Sequence, residues 1–428
     1  VGQTLFHTHA RSINATNWNL RKKNKMITGK DIVVFGIQPW DIAIGSNCKN
    51  IAQQFALHNR VLYVNPPLDR NTKRNKKDSP DIIKRIKIGE GSEVDLYQIE
   101  ENLWNLYPTS LIESINWMPS SFIFDFLNKR NAKRFASDIQ SAVERLNFRD
   151  YILFNDSSMF LGEHITEFLR PLLYVYYMRD FLVLNSYWGK HGRKSEPALM
   201  KKVDLIVNNS DLYAEYGKKY NKHSYMVGQG CDTRMFEDNE LLEVPEDLAS
   251  IPGIKIGYVG YLTGGRLDIK LIEFIAREKP EWKIILVGPE DNRFKESALH
   301  TLKNVVFFGS RSIEELPAYI KGFDVAINPQ RITSITNGNY PRKIDEYLVM
   351  GKPIVCSATK AMEYFGNSTY AADSPEQFVT LIERALEEDS PEKRAFRVSV
   401  GKSHSWETNV SEIYKYIELV AQEQNLKL

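Results

Sequence analysis

The chain has 428 residues, of which 43% are hydrophobic, and its formal net charge at pH 7 is +2. A chain of this length usually exceeds what one hydrophobic core supports, so we expect two domains. The small net charge gives no bulk electrostatic reason to expect a nucleic-acid partner, and none is predicted.

The cysteines Cys48, Cys231 and Cys356 lie far apart and form neither a CxxC pair nor a metal-ligand spacing. This pattern favours buried thiols in a reducing compartment. No run approaches the roughly 18 apolar residues of a membrane span, and the N-terminus lacks the apolar core of a signal peptide. We therefore expect a cytoplasmic location. Residues 1–30 are polar and mixed, and they are predicted to be an N-terminal extension outside the fold.

Short apolar runs alternate with longer amphipathic segments between residues 31 and 236. The beginning predicts a buried strand at 31–36, a helix at 46–58 and a second strand at 60–66, which together make a βαβ unit. Beyond it we predict a helix at 120–147 and strands at 94–99, 102–108, 151–154, 172–177, 204–209 and 224–227. This alternation is typical of a parallel sheet covered on both faces, and it predicts an N-terminal Rossmann-like domain at 31–236.

The acidic stretch 237–253 contains two prolines and lacks a strand pattern, so it is predicted to be an interdomain linker. A second Rossmann-like domain is predicted at 254–404, with helices at 268–279 and 312–321 and strands at 255–260, 282–288, 304–309, 324–329 and 352–357. The sequence thus predicts an α/β protein whose two doubly wound domains face a cleft, where the carboxyl ends of strands bind ligands. Residues 405–428 contain an amphipathic helix that we place as crossing back to the N-terminal domain.

The stretch NGNYPRKIDEYLVMGKPIV, at 337–355, concentrates unusual chemistry at a helix start. Gly338 allows a positive φ before the helix, and Pro341 suits the first helical turn. A helix N-terminus attracts anions. Lys343 and Glu346 share one helix face, so Lys343 can pair with a phosphate while Glu346 accepts hydrogen bonds from two ribose hydroxyls. The alternative is a solvent-exposed ion pair between these two side chains. The position after the fourth strand of the second sheet favours the nucleotide.

Four blocks of the chain, in order, resemble the corresponding blocks of GT-B glycosyltransferases, especially retaining family four (group 1) and its capsule and teichuronic-type relatives. The blocks are VDLIVNNSDL with VGQGCDTRMF, YVGYLTGGRLDIKLI, NVVFFGSRSIEELPAYIKGFDVAINP and YPRKIDEYLVMGKPIV. The resemblance spans roughly 31–425 and implies the GT-B fold. It also implies a hexosyltransferase-type enzyme that takes sugar from a UDP- or GDP-sugar in the C-terminal domain. The acceptor, a saccharide or lipid-linked molecule, is implied to lie in the N-terminal domain, and the transfer to proceed with retention in cell-surface polysaccharide synthesis.

By this resemblance Glu346 is expected to bind the ribose and Lys343 to lie close to the diphosphate. Arg266, in the turn GYLTGGR, is expected to be a second diphosphate contact, with Gly264 and Gly265 letting the backbone approach. The alternative for Arg266 is an ordinary exposed loop arginine.

The chain departs from the family pattern at one position. Many members carry a glutamate eight positions before the ribose-binding one, where it contacts the donor sugar, and here that position is Gly338. Contacts to the sugar are therefore expected from backbone N–H groups of 337–340, which include Asn337 and Asn339.

The loop FGIQPWDIAIGSNCKN follows the first predicted strand and faces the reaction centre in the family. Trp40, Asp41, Gly45 and Ser46 are accordingly expected to contact the acceptor, although a tryptophan that covers the sheet edge is an alternative. The glycines of this loop do not complete a GxGxxG fingerprint, so no dinucleotide cofactor is predicted.

Two acids follow predicted strands of the first sheet, Asp156 in LFNDSS and Asp180 in YYMRDF. We predict that they are catalytic carboxylates that stabilise positive charge on the sugar or orient an acceptor hydroxyl. The alternatives are a helix N-cap for Asp156 and an ion pair with Arg179 or another base for Asp180. No cofactor or metal is predicted, because arginine, lysine and a helix terminus can neutralise a leaving diphosphate.

Two segments suggest a peripheral contact with the inner face of a membrane. The basic run 70–87 can approach anionic lipid, and 110–135 mixes aromatic and basic residues as interfacial helices do. A solvated loop and a buried helix are the alternatives. Two other functions also remain open, a GT-B sugar-nucleotide epimerase or hydrolase and a non-catalytic nucleotide-sugar-binding protein.

Overall fold

The computed structural model describes residues 26–41, 46–233, 236, 241–334 and 336–428. The described residues of the first part of the chain form an eight-stranded sheet in the order β3-β4-β2-β1-β5-β6-β7-β8. The strands are β1 (Asp31–Gly36), β2 (Arg60–Val64), β3 (Leu96–Glu100), β4 (Leu103–Leu106), β5 (Ile152–Asp156), β6 (Leu173–Met178), β7 (Leu205–Asn208) and β8 (Ser224–Met226). Every residue of β1, β5 and β6 is buried, as expected for central strands covered by helices on both faces.

One edge of this sheet corrects the prediction of a purely parallel arrangement. Strand β3 pairs antiparallel with β4, whereas the other neighbours run parallel. Only Glu101 and Asn102 separate the two strands, and a connection that short closes a hairpin and cannot make a crossover.

The helices of this part are α1 (Asn47–Ala56), α2 (Arg70–Asn75), α3 (Pro80–Gly89), α4 (Ser121–Arg145), α5 (Met159–Ile165), α6 (Ser186–Met200) and α7 (Asp211–Lys218), with a 3₁₀ turn at Leu182–Leu184. Ser46 caps α1, and its hydroxyl accepts a hydrogen bond from the Lys49 N–H at 3.5 Å. Such a cap fixes where the helix begins.

The described residues of the second part form a six-stranded sheet in the order β11-β10-β9-β12-β13-β14, and its paired strands are parallel. The strands are β9 (Lys255–Val259), β10 (Lys283–Val287), β11 (Val305–Gly309), β12 (Val325–Asn328), β13 (Ile354–Ser357) and β14 (Tyr370–Ala372). The helices are α8 (Glu246–Ala249), α9 (Ile269–Glu278), α10 (Asn292–Lys295), α11 (Leu316–Lys321), α12 (Lys343–Val349), α13 (Pro375–Glu387) and α14 (Pro391–Ser403), with 3₁₀ segments at Ala298–Thr301 and Lys360–Ser368.

Two details differ from the predicted elements of this part. Helix α11 begins at Leu316 and not at 312, because Pro317 lies in its first turn, where the missing N–H is tolerated. The predicted linker contains α8, and Leu248 of that helix is fully buried against the second sheet.

The last helix, α15 (Trp406–Glu423), lies against the first sheet and not the second. Val410, Ile413 and Ile417 of this helix are buried in the same hydrophobic core as β1 and α1. The Asn59 amide donates a hydrogen bond to the Tyr414 hydroxyl at 2.8 Å, which joins residues 355 positions apart. The chain therefore passes between the two parts twice, once after β8 and once between α14 and α15. Among the described residues, no helix combines the length and apolar character needed to span a bilayer.

Candidate functional site

A cavity of about 720 Å³ lies between the two parts of the chain, at the carboxyl ends of strands from both sheets. Such ends are the usual ligand sites of parallel α/β sheets. The first part contributes Gln38, Asn47, Arg179, Asp180, Asn209 and Gln229, and the second contributes Tyr258, Tyr261, Thr263, Gly265, Arg266, Leu267, Asn328, Gln330, Asn339, Tyr340, Pro341, Arg342 and Lys343.

Lys343 and Glu346 face one another at the start of α12. The Lys343 Nζ lies 3.1 Å from Glu346 Oε2 and 3.3 Å from Oε1. The two side chains are 30% and 11% exposed, so this is a partly buried pair and not the solvent-exposed pair considered as the alternative. Lys343 lines the cavity, and Glu346 reaches it through Lys343. Both groups are therefore desolvated in part before any ligand arrives, which strengthens their interaction with a charged or hydroxylated partner.

Helix α12 is held rigidly behind this pair. Its residues from Ile344 to Val349 are buried. The Val259 N–H, at the end of β9, donates to the Tyr347 hydroxyl at 2.8 Å. Gly260 follows β9 with φ +144°, and a Cβ there would lie 3.2 Å from Lys343 Cε. The glycine thus makes room for the lysine side chain.

The loop that follows β9 delivers some of its predicted residues to the cavity. Gly265 and Arg266 line it. Gly264 does not: its N–H donates to Asp291 Oδ2 at 2.9 Å, and its carbonyl accepts from Arg331 at 3.1 Å. In this arrangement both polar groups of the Gly264 backbone have partners in the protein, so the structure does not support the predicted approach of this backbone to a ligand.

In the loop before α12, too, only some of the predicted residues line the cavity. Asn339 lines the cavity, whereas the Asn337 side chain accepts a hydrogen bond from the Lys360 N–H at 2.8 Å and borders a neighbouring hollow. The N–H groups of Asn337 and Asn339 already donate to the Thr333 and Thr336 carbonyls. The expected contact of these two N–H groups with a sugar is therefore not supported, and the role of Gly338 is steric, as described below.

Of the two predicted catalytic acids, the structure brings only Asp180 to the cavity. Asp156 is fully buried, and Arg179 Nε donates to its Oδ1 at 2.8 Å. Asp156 is thus the counter-ion of Arg179 and not a cleft carboxylate. It does not cap α5 either, since Ser158 occupies that position.

The same arginine bridges to the acid that does line the cavity. Arg179 Nη1 donates to Asp180 Oδ2 at 3.3 Å. Burial by itself would lower the pKa of Arg179, but the carboxylates of Asp156 and Asp180 outweigh it, and that pKa lies above its usual value. Burial raises the pKa of Asp180, against the opposing influence of Arg179 and Arg266. Arg266 of the second domain thus interacts electrostatically with Asp180 of the first domain.

The predicted acceptor residues that the structure describes, Trp40, Asp41 and Ser46, do not line this cavity. Trp40 packs edge-on against Tyr63, 5.1 Å between ring centroids, which is the alternative of a tryptophan covering the sheet edge. Asp41 accepts a hydrogen bond from the Tyr107 hydroxyl at 2.8 Å. The Ser46 hydroxyl caps α1 and donates to Gln38 at 2.7 Å. Gly45 lies outside the described residues.

Amide side chains take the place of those residues on the first-domain wall. Asn209 donates to the Gln229 side-chain oxygen at 2.8 Å, and Gln229 donates to Asn47 at 3.4 Å. Amides offer donors and acceptors together, which suits the hydroxyl groups of a saccharide. These amides and Arg342 are not among the predicted site residues, although Asn209 ends a predicted strand and Arg342 adjoins Lys343.

Within the described ranges no group of three or more His, Cys, Asp or Glu side chains is arranged to hold a metal ion. Among the described residues that line the cavity are four cations, Arg179, Arg266, Arg342 and Lys343, and one carboxylate, Asp180. Asp156 and Glu346, behind the lining, pair with Arg179 and Lys343. Four cations against three carboxylates still leave a positive charge that favours an anionic ligand such as a polyphosphate.

Comparison with known proteins supports the fold and the second domain in particular. The family described as Glycosyl transferases group 1 matches residues 254–388. The glycosyltransferase TuaH of Bacillus subtilis (strain 168), named for teichuronic acid biosynthesis, is 27% identical over 247 residues. That alignment covers 55% of this chain and 62% of the relative, so the chain spans about three fifths of the relative's length.

Solved structures match over nearly the whole chain. Anabaena HepE in complex with UDP and glucose superposes with a TM-score of 0.59 and 14% identity, covering 92% of this chain and 100% of HepE. A structure described as trehalose-6-phosphate from E. coli bound with UDP-2-fluoro glucose gives a TM-score of 0.63 and 10% identity, covering 92% of this chain and 99% of that one. The resemblance inferred from the sequence is thereby confirmed: the chain has the GT-B glycosyltransferase fold, and its second domain matches the group 1 glycosyltransferases.

Proposed function

We propose that this protein is a glycosyltransferase that moves a sugar from a nucleotide diphosphate donor to a saccharide or lipid-linked acceptor in cell-surface polysaccharide synthesis. The observation that carries the proposal is the convergence of Arg266, Arg342 and Lys343 on one interdomain cavity, with Glu346 bonded to Lys343 one turn into α12. The group 1 match and the teichuronic acid relative support the same class of reaction.

The donor half of the cavity suits a diphosphate and a ribose. Phosphate oxygens can take over the Lys343 ammonium from Glu346, which frees the carboxylate to accept hydrogen bonds from the two ribose hydroxyls. Arg266 and Arg342 add planar donors that bind phosphate through paired N–H groups. UDP is the first nucleotide to test, because the HepE and E. coli structures carry UDP or a UDP-sugar.

The acceptor half is proposed to be the amide wall of Asn47, Asn209 and Gln229 together with Asp180. Asp180 would orient an acceptor hydroxyl or stabilise positive charge that develops on the sugar. Retention and independence from metal and cofactor belong to the proposal. Cationic side chains that line the cavity can neutralise the leaving diphosphate, which is the reason to expect independence from a metal ion.

Calorimetry can test the two donor contacts separately. Lys343→Ala should weaken UDP binding by about 1.5–3 kcal/mol, a tenfold to hundredfold rise in Kd, and should reduce the preference for UDP over UMP. Glu346→Ala should remove the preference for UDP over 2′-deoxy-UDP. Lys218→Ala is the matched control, since Lys218 makes an ion pair of the same spacing with Glu215 on the surface. Wild-type protein that binds neither UDP nor GDP contradicts the proposal.

Turnover separates transfer from the alternatives. Release of free sugar or of an isomer from donor alone indicates a hydrolase or epimerase, and nucleotide binding without turnover on any donor and acceptor indicates a binding protein. A rate that is unchanged by EDTA is expected for the metal-independent reaction.

We further propose that the first domain contacts an anionic bilayer surface through its predicted segments 70–87 and 110–135. The structure joins these segments: the Arg70 N–H donates to the Ile112 carbonyl at 3.0 Å, and the Asn71 N–H to the Ser114 hydroxyl at 2.9 Å. Large apolar side chains are exposed on α4, on α6 and in the segment before α4. Phe122 is 81% exposed and Trp117 69%, and Phe126 and Tyr187 are exposed as well.

Exposed cations lie on the same two helices, α4 and α6. Lys129, Arg130 and Lys133 are exposed farther along α4, and Lys190 and Arg193 on α6. Each cation near anionic lipid is worth about 1 kcal/mol, and aromatic rings favour the headgroup region. The opposite face of α4 is buried, so the predicted alternative of a buried helix holds for that face alone.

Flotation with vesicles that contain phosphatidylglycerol tests this contact. The Phe122→Ser, Phe126→Ser double variant should lose most vesicle binding at low salt, while Leu57→Ser, at another exposed apolar position, should not. Equal flotation of wild type and the double variant contradicts the assignment of this surface.

A further inference from the structure

The two passages of the chain between the domains are bonded to each other. The Cys231 N–H donates to the His404 carbonyl at 2.8 Å, and Cys231 forms a parallel bridge with Ser405. The Asn409 amide donates to the Val227 and Gly228 carbonyls at 3.1 and 2.9 Å. These hydrogen bonds join segment 227–231 to segment 404–409. We call the two segments together the interdomain junction.

A buried contact between a histidine and a carboxyl group ties this junction to α12. His404 Nδ1 lies 2.7 Å from Asp345 Oδ1, and the Tyr340 hydroxyl donates to the same oxygen at 3.0 Å. Asp345 is fully buried, and His404 is 5% exposed. The rings of Tyr364 and Phe365 pack around the imidazole, with centroids 4.9 and 5.7 Å away.

Loss of the contact between His404 and Asp345 should be energetically costly, because Asp345 is fully buried. A carboxylate in such a site is strongly destabilised unless a partner compensates for the lost water. Losing His404 would leave Asp345 with only the Tyr340 hydroxyl among the described partners, since its Oδ2 has none in the described part of the chain. The position of α12 is thus energetically coupled to the position of the junction.

Asp345 is followed directly by Glu346. Successive side chains leave a helix about 100° apart, because one turn holds about 3.6 residues. One carboxylate accordingly faces the junction while the next contacts Lys343 in the cleft. A shift of the junction that moves His404 must move Asp345, and with it the groups proposed to hold the donor.

We propose that Asp345 and His404 are positioning residues that couple the interdomain junction to the donor-binding face of α12. The inference rests on the proposed function, since it needs a donor at Lys343 and Glu346. Neither residue lines the cavity, but both contact Tyr340, which does, so both act through the placement of Tyr340 and α12.

The test compares two substitutions of one histidine. His404→Leu removes the partner of Asp345, whereas the side-chain amide of His404→Asn can place an N–H close to the position of Nδ1. We expect His404→Leu to raise the Kd for UDP at least about fivefold, the lower end of typical coupling between sites, and to change the small-angle scattering profile of the UDP-bound protein. His404→Asn should stay within about twofold of wild type.

Tyr414→Phe is the matched control, because it removes the hydrogen bond from Asn59 to α15 without touching α12. It should lower stability and leave the Kd unchanged. Should His404→Leu fail to fold, Asp345→Ala carries the same test, because it removes the carboxyl group that contacts His404, and the same rise in Kd is expected. A folded His404→Leu or Asp345→Ala that binds UDP as wild type does overturns the inference. Wild-type protein that binds no nucleotide overturns the proposed function, and this inference with it.

Discussion

Gly338 of the second domain lies directly against Leu212 of the first. A Cβ atom at Gly338 would lie 2.7 Å from Leu212 Cδ2 and 2.9 Å from Tyr213 Cε1. Both neighbours belong to the first turn of α7, so the loop before α12 touches the opposite domain. The absence of a side chain at position 338, which departs from the family pattern, is what allows this approach. A glutamate at that position would require Leu212 and Tyr213 to move or the domains to separate.

Gly338→Ala should therefore impair catalysis by holding the cleft open. Overpacking of this kind costs about 1–3 kcal/mol, so we expect kcat/KM with a UDP-sugar to fall roughly tenfold. Leu212→Ala in the same chain should restore part of the loss, because it removes the closest atom. Gly89→Ala at the exposed end of α3 serves as a control for the glycine substitution itself. Equal kcat/KM values for Gly338→Ala and wild type would show that the contact does not matter for the reaction.

Local patterns predicted much of the fold, and the reason is physical. Buried strands and amphipathic helices have hydrophobic patterns that involve only residues close together in the sequence. For this reason β1, β9 and α15 begin within a residue or two of their predicted positions. The spacing of Lys343 and Glu346 likewise fixes their shared helix face.

The features that the sequence did not predict depend on contacts between distant residues. His404 meets Asp345 across 59 positions, and Gln229 meets Asn47 across 182. Asp156 and Asp180 follow equivalent strands, and only the tertiary structure shows that one is buried behind Arg179 while the other lines the cavity.

Removal of Arg179 should destabilise the first domain. Asp156 is fully buried and depends on the Arg179 guanidinium for compensation. Breaking a buried pair by removing one partner costs about 3–5 kcal/mol, so Arg179→Met should lower the free energy of unfolding by that amount in urea denaturation. The Arg179→Met, Asp156→Asn double variant should recover part of the loss, since no buried charge then stands alone. A double variant less stable than the single one contradicts this account.

The carboxyl of Asp180 should govern the acidic side of the activity profile. Burial raises its pKa above 3.8, so on acidification the carboxylate is lost at a higher pH than for an exposed aspartate. If the carboxylate is the working form, kcat falls as pH drops through this raised value. Asp180→Asn should give a low rate without that acidic decline, and Asp78→Asn, on the exposed basic run, should keep the wild-type profile. An acidic decline that persists in Asp180→Asn assigns it to another group.

Glu196 should make the stability of the first domain depend on pH. Its carboxyl is fully buried in α6, and the Tyr176 hydroxyl donates to its Oε1 at 2.9 Å. Burial raises the pKa of Glu196 from 4.5 to about 7. Between these two values the folded chain holds a proton that the unfolded chain has released, so the free energy of unfolding falls as pH rises through this window. Below pH 4.5 the contribution is fully present, and above pH 7 it is lost.

The substitution Glu196→Gln isolates this effect, because the amide oxygen can still accept the Tyr176 hydrogen bond but carries no proton to lose. A pKa displacement of this size corresponds to roughly 3 kcal/mol, so the variant should gain up to that much relative to wild type between pH 5 and pH 8 in chemical denaturation. Glu215→Gln, whose parent side chain is 67% exposed and paired with Lys218, should follow the wild-type curve. If the Glu196→Gln and wild-type stabilities change in parallel with pH, the ionisation of Glu196 is not what sets the slope, since every other carboxyl is common to both proteins.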